Sequence, residues 1–591
     1  MKFTFMRRGV AAIAAASLIT IGAPVVTAAN AADACALGAT CEGVLSGSLG
    51  DSPFEIQMPE NFNGTVLLYS HGYRFSGPIP AIFSGPTALG VAANPDYDMV
   101  RVPSLAANFG TDVAYKASNR PNVAPSAAVA QNLLTQGYAL AGAGYANQGW
   151  ASNEGVEAGE NLIRHINSGA IPKTKKIMVW GNSLGGLITQ TIAERNPGKV
   201  AGSLPSCGVL EGPLQAYSSA MTLMFTWKTL IAPTLKVTNY TPGAVGYGEA
   251  LTDLATVFQT LTAVAGNPSL KSSVGVPVAQ ANLLAGLMGG LPTNSSVYDG
   301  LTTNPVIDVL AQNPEIGPGK APAAANAAGY SPVSSGQSSA AAMLQNVGYA
   351  AALGILGRYD LESRMLLSGA VAPGEVTNFN DNVNVSYSKL LSPEQSGQFG
   401  DTLNATTAIS DPLNSMLAAL DVSRGNPAVR FPANPKAVKF VNSLAAPKGI
   451  YSVPTLLLSD TYDPAVPAGN TGEFFASMAK SYNKMNKKKR GLFKAAAFYT
   501  IPPVDGWTKF APGGKAPDAA LSIAALGNSG VGHCEYTTEQ LLGAVRGLNA
   551  MVNAKSAKQV TAAKRIVFAV PGVNKDRLFL PDPLKKPLLA R

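Results

Sequence analysis

Residues 176–195 read KIMVWGNSLGGLITQTIAER. The first five, KIMVW, form an apolar run of the kind buried on both faces of a parallel sheet, and from Leu187 to Arg195 the apolar residues recur at helical spacing. Between the two lies a Gly-x-Ser-x-Gly motif made by Gly181, Asn182, Ser183, Leu184 and Gly185. A sharp strand-to-helix turn can hold the Ser183 hydroxyl above the end of a sheet, and the glycines remove side chains that would clash there. The helix start behind the serine adds positive potential where an oxyanion would form. The motif alone is weak in a chain rich in Gly and Ser; its place between strand and helix gives it meaning. The competing reading, a phosphate-binding turn, is left without support, since neither Gly-Lys-Ser nor Gly-x-Gly-x-x-Gly accompanies it.

Working outward, TVLLYS (65–70) is a second buried strand, ending in His71 and Gly72, and YALAGAGY (138–145) is a third, followed by a helical stretch over 153–166. A shorter strand is predicted over 200–205, and two more over 43–60, joined by a Gly-Asp-Ser turn. After a long gap the pattern returns with VPTLLL (453–458), a helix over 471–486, a strand over 495–501, a Pro/Gly-rich loop leading to His533, and a final helix over 537–553. Alternating strands and helices predict an α/β fold with a mostly parallel central sheet flanked by helices. From 208 to 450 no buried strand occurs. Helical stretches near 213–231, 249–264, 277–288 and 338–356 read as one large, mostly helical insertion, with an Ala/Gly-rich portion at 316–342 as a mobile loop.

The length of 591 residues calls for more than one ordinary domain. Residues 1–31 have the layout of an export signal: Lys2, Arg7 and Arg8, then an apolar stretch from Gly9 to Ile21, then small residues for cleavage near Ala31. The apolar stretch is short of the roughly 20 residues of a membrane span, so secretion without stable membrane insertion is expected. The division that follows is signal peptide 1–31, core 32–207, cap or lid insertion 208–450, and core again 451–591.

A composition of 46% hydrophobic and 13% charged residues suits a packed core and excludes a charge-rich disordered chain. The net charge of +9 becomes about +6 once the three signal cations are removed. Lys487, Lys488, Lys489 and Arg490, beside Lys480 and Lys484, close a predicted helix, where the helix dipole and solvent account for them without nucleic acid. Cys35, Cys41, Cys207 and Cys534 form an even set in an oxidising compartment, which predicts two disulfides with three possible pairings.

A serine nucleophile needs a base, and the chain has three histidines. His71 ends a buried strand, where the neighbouring backbone matters more than the imidazole. His165 lies in the helix before the Ser183 strand and reads as structural. His533, in a loop after the last strand and before a terminal helix, can reach back over the sheet edge and is the expected general base. Asp463, just past VPTLLL, is the expected orienting acid, with Asp460 in the same turn as its rival. No cluster of His, Cys, Asp and Glu has metal-ligand spacing, and Asp381 alone is poor evidence for calcium, so neither metal nor cofactor is expected. Aromatic residues expected near the mouth of the site are Tyr73, Tyr145 and Trp150, with Tyr73 and Trp150 preferred as substrate contacts; Met221, Met224, Phe225 and Trp227 of the first helix in the insertion are weaker candidates.

The chain order Ser183, Asp463, His533, with the Gly-x-Ser-x-Gly turn and the His71-Gly72 strand end, resembles the α/β-hydrolase superfamily over roughly 43–207 and 451–570. The resemblance implies an oxyanion hole from the backbone N–H groups of Tyr73 and Leu184, and a cap where 208–450 stands. The cap is unusually large, and 70 residues separate Asp463 from His533. If Ser183 and His533 meet in that fold, Cys534 comes close to Cys207, which implies Cys207–Cys534 and Cys35–Cys41 pairings. Tannase and feruloyl esterase relatives also join the base loop to the nucleophile region, but there a cysteine directly precedes the serine; Asn182 stands in that place here and argues against that group. The activity implied is a secreted serine hydrolase acting on carboxylic esters, small or polymeric. A peptidase or amidase of the same fold is the rival, needing a carboxylate such as Glu211 or Glu249 for a substrate ammonium, and a noncatalytic surface-binding protein is the third reading. The oligomeric state is not legible.

Overall fold

A computed structural model describes residues 34–83, 92, 94–266, 270–292, 338–391, 410–421, 429–485, 491–500 and 533–574. The export signal expected at 1–31, the loop at 316–337, the basic run at 487–490 and the Pro/Gly-rich stretch before His533 lie outside the described residues.

The strands, in chain order, are β1 (Thr40–Leu45), β2 (Ser52–Gln57), β3 (Thr65–Ser70), β4 (Ile79–Pro80), β5 (Tyr97–Arg101), β6 (Val113–Ala117), β7 (Ala139–Ala143), β8 (Lys176–Asn182), β9 (Gly202–Ser206), β10 (Thr455–Asp460) and β11 (Ala495–Thr500). Eight of them form one sheet in the order β1-β2-β7-β3-β8-β9-β10-β11. The β1–β2 and β2–β7 pairs are antiparallel and every other neighbouring pair is parallel. This order and these directions are those of the α/β-hydrolase fold.

The strands read as continuous apolar runs because both faces are covered. In β3, Val66 and Leu68 point into one core while Leu67 and Tyr69 point into the other; in β8, Ile177 and Val179 take the first side and Met178 and Trp180 the second. The first core is closed by α2 (Ser152–His165), α3 (Leu184–Arg195) and α9 (Pro435–Ser443). The second is closed by α1 (Ala127–Thr135), α11 (Thr538–Asn553) and α12 (Ala557–Phe568). Each fully buried Leu or Val here contributes about 1.5–3 kcal/mol of transfer free energy, so the strands are held by their faces as much as by their ladders. Helix α12 extends the chain past the helix expected to be last.

Between β9 and β10 run α4 (Pro213–Leu230), α5 (Ala244–Gly266), α6 (Val278–Met288), α7 (Ser338–Leu367), α8 (Ser410–Leu420) and α9, followed after β10 by α10 (Ala468–Lys484). Helices α4 to α8 share a separate apolar core that includes Trp227, Leu254, Leu284 and Ile355. That core also takes in Phe75, Ile79, Phe83, Leu105 and Ala114 from the stretch after β3, where β4, β6 and β5 form a small antiparallel sheet. This second excursion was not legible as an element. Helix α9 behaves differently from α5, α6 and α8, burying Ala437 and Val441 in the main core while packing against α4 and α7. Among the described residues no helix is long and apolar enough to cross a membrane.

Candidate active site

β8 delivers Ser183 into an abrupt turn. Its backbone has φ 59° and ψ −123°, a conformation rarely held by a residue with a side chain, and α3 begins at the next residue. The turn forms because β8 and α3 approach the end of β3 closely. A Cβ on Gly185 would stand 2.0 Å from the Ser70 carbonyl oxygen and 2.6 Å from that of His71, and a Cβ on Gly181 would stand 2.6 Å from the Gly185 and Ser70 oxygens. The Ser183 amide donates to the Ser206 carbonyl of β9, which fixes the serine against the sheet.

The Ser183 hydroxyl donates to His533 Nε2 at 2.6 Å, and His533 Nδ1–H donates to Asp463 Oδ2 at 2.7 Å. The carboxylate selects this tautomer, because an ionised carboxylate only accepts. Asp463 is fully buried, and its other oxygen accepts from the amides of Ala465 and Val466. The three residues come from 350 positions of chain and touch in series.

Asp460, the rival acid, has another place. Its Oδ2 accepts from the Glu535 amide at 2.8 Å and its Oδ1 from the Thr500 hydroxyl at 2.5 Å, so it ties the loop bearing His533 to the ends of β10 and β11. Burial, with Asp463 nearby, holds its carboxyl well above the usual range. On the other side, Cys534 is bonded to Cys207, and Cys35 to Cys41, the pairing implied by the resemblance.

The other two histidines are held elsewhere. His71 is buried and stacked at 3.8 Å on the Tyr145 ring, and burial lowers its pKa well below the ordinary value, so the ring stays neutral. His165 ends α2 with its ring 4.9 Å from that of Phe54.

Gly72 and Tyr73 follow β3 directly beside the serine; a Cβ on Gly72 would be 3.3 Å from Ser183 Cβ. Arg74 clamps this turn by donating to the Ser118 and Arg120 carbonyls and pairing with Asp96 at 3.1 Å. The amides of Tyr73 and Leu184, the residues expected to bound an oxyanion, have no acceptor among the described residues. Amides of this kind would be available to the oxygen of a carbonyl attacked by Ser183, where negative charge would develop.

A cavity of about 320 Å³ opens on Ser183 and His533, within the range of small-molecule sites. Tyr73 and Trp150 line it as expected. Tyr145 does not; its hydroxyl donates to the His71 carbonyl instead. The face of α4 toward the cavity carries Ala216, Tyr217, Ala220 and Leu223, whereas Met221, Met224, Phe225 and Trp227 pack into the core of α4–α8. Sequence reasoning also missed Tyr349 of α7, whose ring centre lies 6.4 Å from that of His533. Among the described lining residues there is no Asp, Glu, Lys or Arg. Glu249 is paired with Lys236, and Glu211 lies in a separate depression with Lys448 and Phe474. The one grouping of metal-ligand atoms among the described residues, Cys207, Asp463, His533 and Cys534, has its sulfurs consumed in the disulfide. Asp381, the other position considered for a metal, accepts from the Val383 and Ala433 amides.

No protein-family model and no curated protein matches the sequence. Among solved structures, the chain is similar to an esterase from Aspergillus oryzae, at 13% identity over 78% of this chain and 71% of that one, with a TM-score of 0.29. It is similar to feruloyl esterase B from Aspergillus oryzae at 12% identity, over 84% and 82%, with a TM-score of 0.29. It is also similar to the rice cell wall degrading esterase LipA from Xanthomonas oryzae at 13% identity, over 78% and 81%, with a TM-score of 0.26. At such scores these likenesses carry no weight beside the chain's own geometry.

Proposed function

We propose that this chain, an α/β hydrolase by the order and direction of its strands, is a secreted serine hydrolase that cleaves carboxylic esters through an acyl-enzyme on Ser183. The observation that carries the reading is the unbroken contact from Ser183 Oγ through His533 to Asp463 at the wall of a cavity whose described lining holds no Asp, Glu, Lys or Arg. His533 Nε2 takes the Ser183 proton as Oγ attacks the ester carbonyl, while Asp463 stabilises the imidazolium through Nδ1–H. The amides of Tyr73 and Leu184 hold the oxyanion. Collapse expels the alcohol, which receives the proton from His533, and water then repeats the attack on the acyl-enzyme.

An ester rather than a peptide with a free amino end is favoured by the described lining, which offers no carboxylate to pair with a substrate ammonium. Secretion is supported by the leader-like residues 1–31 and by two disulfides, which persist in oxidising compartments. Helices α4–α8 act as a cap over the site, with residues 208–450 as its extent.

Reaction of the mature protein with a fluorophosphonate, lost in Ser183→Ala, tests the nucleophile. Turnover of p-nitrophenyl esters over aminoacyl p-nitroanilides tests the substrate class. An unlabelled native protein would favour the noncatalytic binding reading, and a preference for the anilides would favour the peptidase.

A further inference from the structure

Tyr349 of α7 stands apart from the other rings around the cavity. Trp150, Tyr217 and Phe75 are buried, whereas Tyr349 lines the cavity with 38% of its surface open. It is also the one ring paired with that of His533 among the described residues, with centres 6.4 Å apart and planes tilted by 57°. Helical spacing explains its place: Tyr349, Ala350, Leu353 and Gly354 make the face of α7 toward the cavity, while Val347, Ala351 and Ile355 are buried in the core of α4–α8.

The chemistry gives that neighbourhood to the leaving group. As Ser183 Oγ attacks, the carbonyl oxygen turns toward the Tyr73 and Leu184 amides, and the alcohol oxygen has to lie against His533 Nε2 to receive its proton. A hydrogen bond of about 2.8 Å to that nitrogen leaves the next few atoms of the alcohol beside the imidazole, within reach of the Tyr349 ring. The surroundings are apolar, with Leu353 of α7, Leu223 of α4 and Leu291 lining the same cavity. Two aromatic rings attract each other beyond the area they bury, which a saturated ring of the same size does not reproduce.

Resting on the esterase reading above, we propose that Tyr349 is the specificity-determining residue of the alcohol subsite, where its ring takes an aromatic leaving group in preference to a saturated one. The same subsite serves an incoming alcohol. An aromatic alcohol held against Tyr349 gives its proton to His533 Nε2 as its oxygen bonds to the acyl carbon; the bond from that carbon to Ser183 Oγ then breaks, and Oγ takes the proton back, so that an ester is released in place of the acid.

The test compares benzyl acetate with cyclohexylmethyl acetate and, for the acyl side, ethyl phenylacetate with ethyl cyclohexylacetate. Each kcat/KM is divided by the rate of hydroxide hydrolysis to remove intrinsic reactivity. Benzyl acetate is expected to lead by roughly threefold or more. Tyr349→Leu brings that ratio toward one and leaves the acyl-side ratio in place, whereas Tyr349→Phe keeps both. During turnover of p-nitrophenyl acetate, added benzyl alcohol is likewise expected to yield more ester than cyclohexylmethanol at equal concentration. The native ratios stand even if a variant fails to fold. Absence of the benzyl preference in either measurement, a preference that survives Tyr349→Leu, or a Tyr349→Leu variant that shifts only the acyl-side ratio overturns the assignment. Absence of turnover on every ester overturns the esterase reading alone; the aromatic site is then read from calorimetric Kd values of benzyl alcohol and cyclohexylmethanol, where a benzyl preference that is missing, or that survives Tyr349→Leu, overturns it as well.

Discussion

Asp360 of α7 is a carboxyl buried behind Trp150 with only partial compensation. Burial pushes its pKa up from 3.8 to about 6, against the opposing pull of the Trp150 amide, Arg364 and Ser76. The folded protein therefore binds this proton more tightly than the unfolded chain does, and stability falls as pH rises between about 4 and 6. At ~1.36 kcal/mol for each pH unit, the rise from 3.8 to about 6 removes ~3 kcal/mol by neutral pH. Asp360→Asn removes the ionisation and keeps an oxygen for the Trp150 amide. The variant should match the native protein near pH 4 and exceed it by up to ~3 kcal/mol at pH 7.5. Urea unfolding followed by tryptophan fluorescence at the two pH values measures the double difference. Parallel profiles for the two proteins would refute the reasoning, since they would mean that Asp360 ionises in the fold as freely as in water.

Gly185→Ala should destabilise the protein by ~3 kcal/mol and abolish fluorophosphonate labelling, because the new methyl would overlap the Ser70 and His71 carbonyls; thermal unfolding and labelling read both effects. Asp463→Asn should leave the fold intact and lower kcat by roughly 10³–10⁴ with little change in KM, checked by steady-state kinetics on a p-nitrophenyl ester. Opening the Cys207–Cys534 bridge, which spans 327 positions, with Cys207→Ser/Cys534→Ser should cost about 2–5 kcal/mol and at least tenfold in kcat/KM, whereas Cys35→Ser/Cys41→Ser should spare kcat/KM. Urea unfolding and ester turnover of the two double variants check this.

The main sheet was legible because strands covered on both faces write themselves as unbroken apolar runs, as TVLLYS and KIMVW do. The meeting of Ser183 and His533 was legible for a different reason: a strand-to-helix turn with two glycines marks the serine, and histidine is scarce in this chain. The small sheet was not, since β5 and β6 are five residues each, mostly half-buried or exposed, and carry Asp98, Arg101 and Lys116. The cavity-facing side of α4 was misread because that helix is buried on most of its sides, with Ser and Thr inside as well as apolar residues. One side builds the core around Trp227 and the other walls the cavity with Tyr217 and Leu223, so periodicity gives no clue to which is which. Asp460 escaped notice as a tether because its partner, the Glu535 amide, is 75 positions away and leaves no trace in local pattern.

The apolar core shared by α4–α8 and the stretch from Phe75 to Ala114 binds two excursions that leave the sheet at different points. Neither is a freestanding module. Splicing Ser206 to Thr455 to obtain the main sheet alone would strand Ile79 and Phe83 in water and invite aggregation, so a soluble truncation has to excise both excursions or graft both onto a new scaffold.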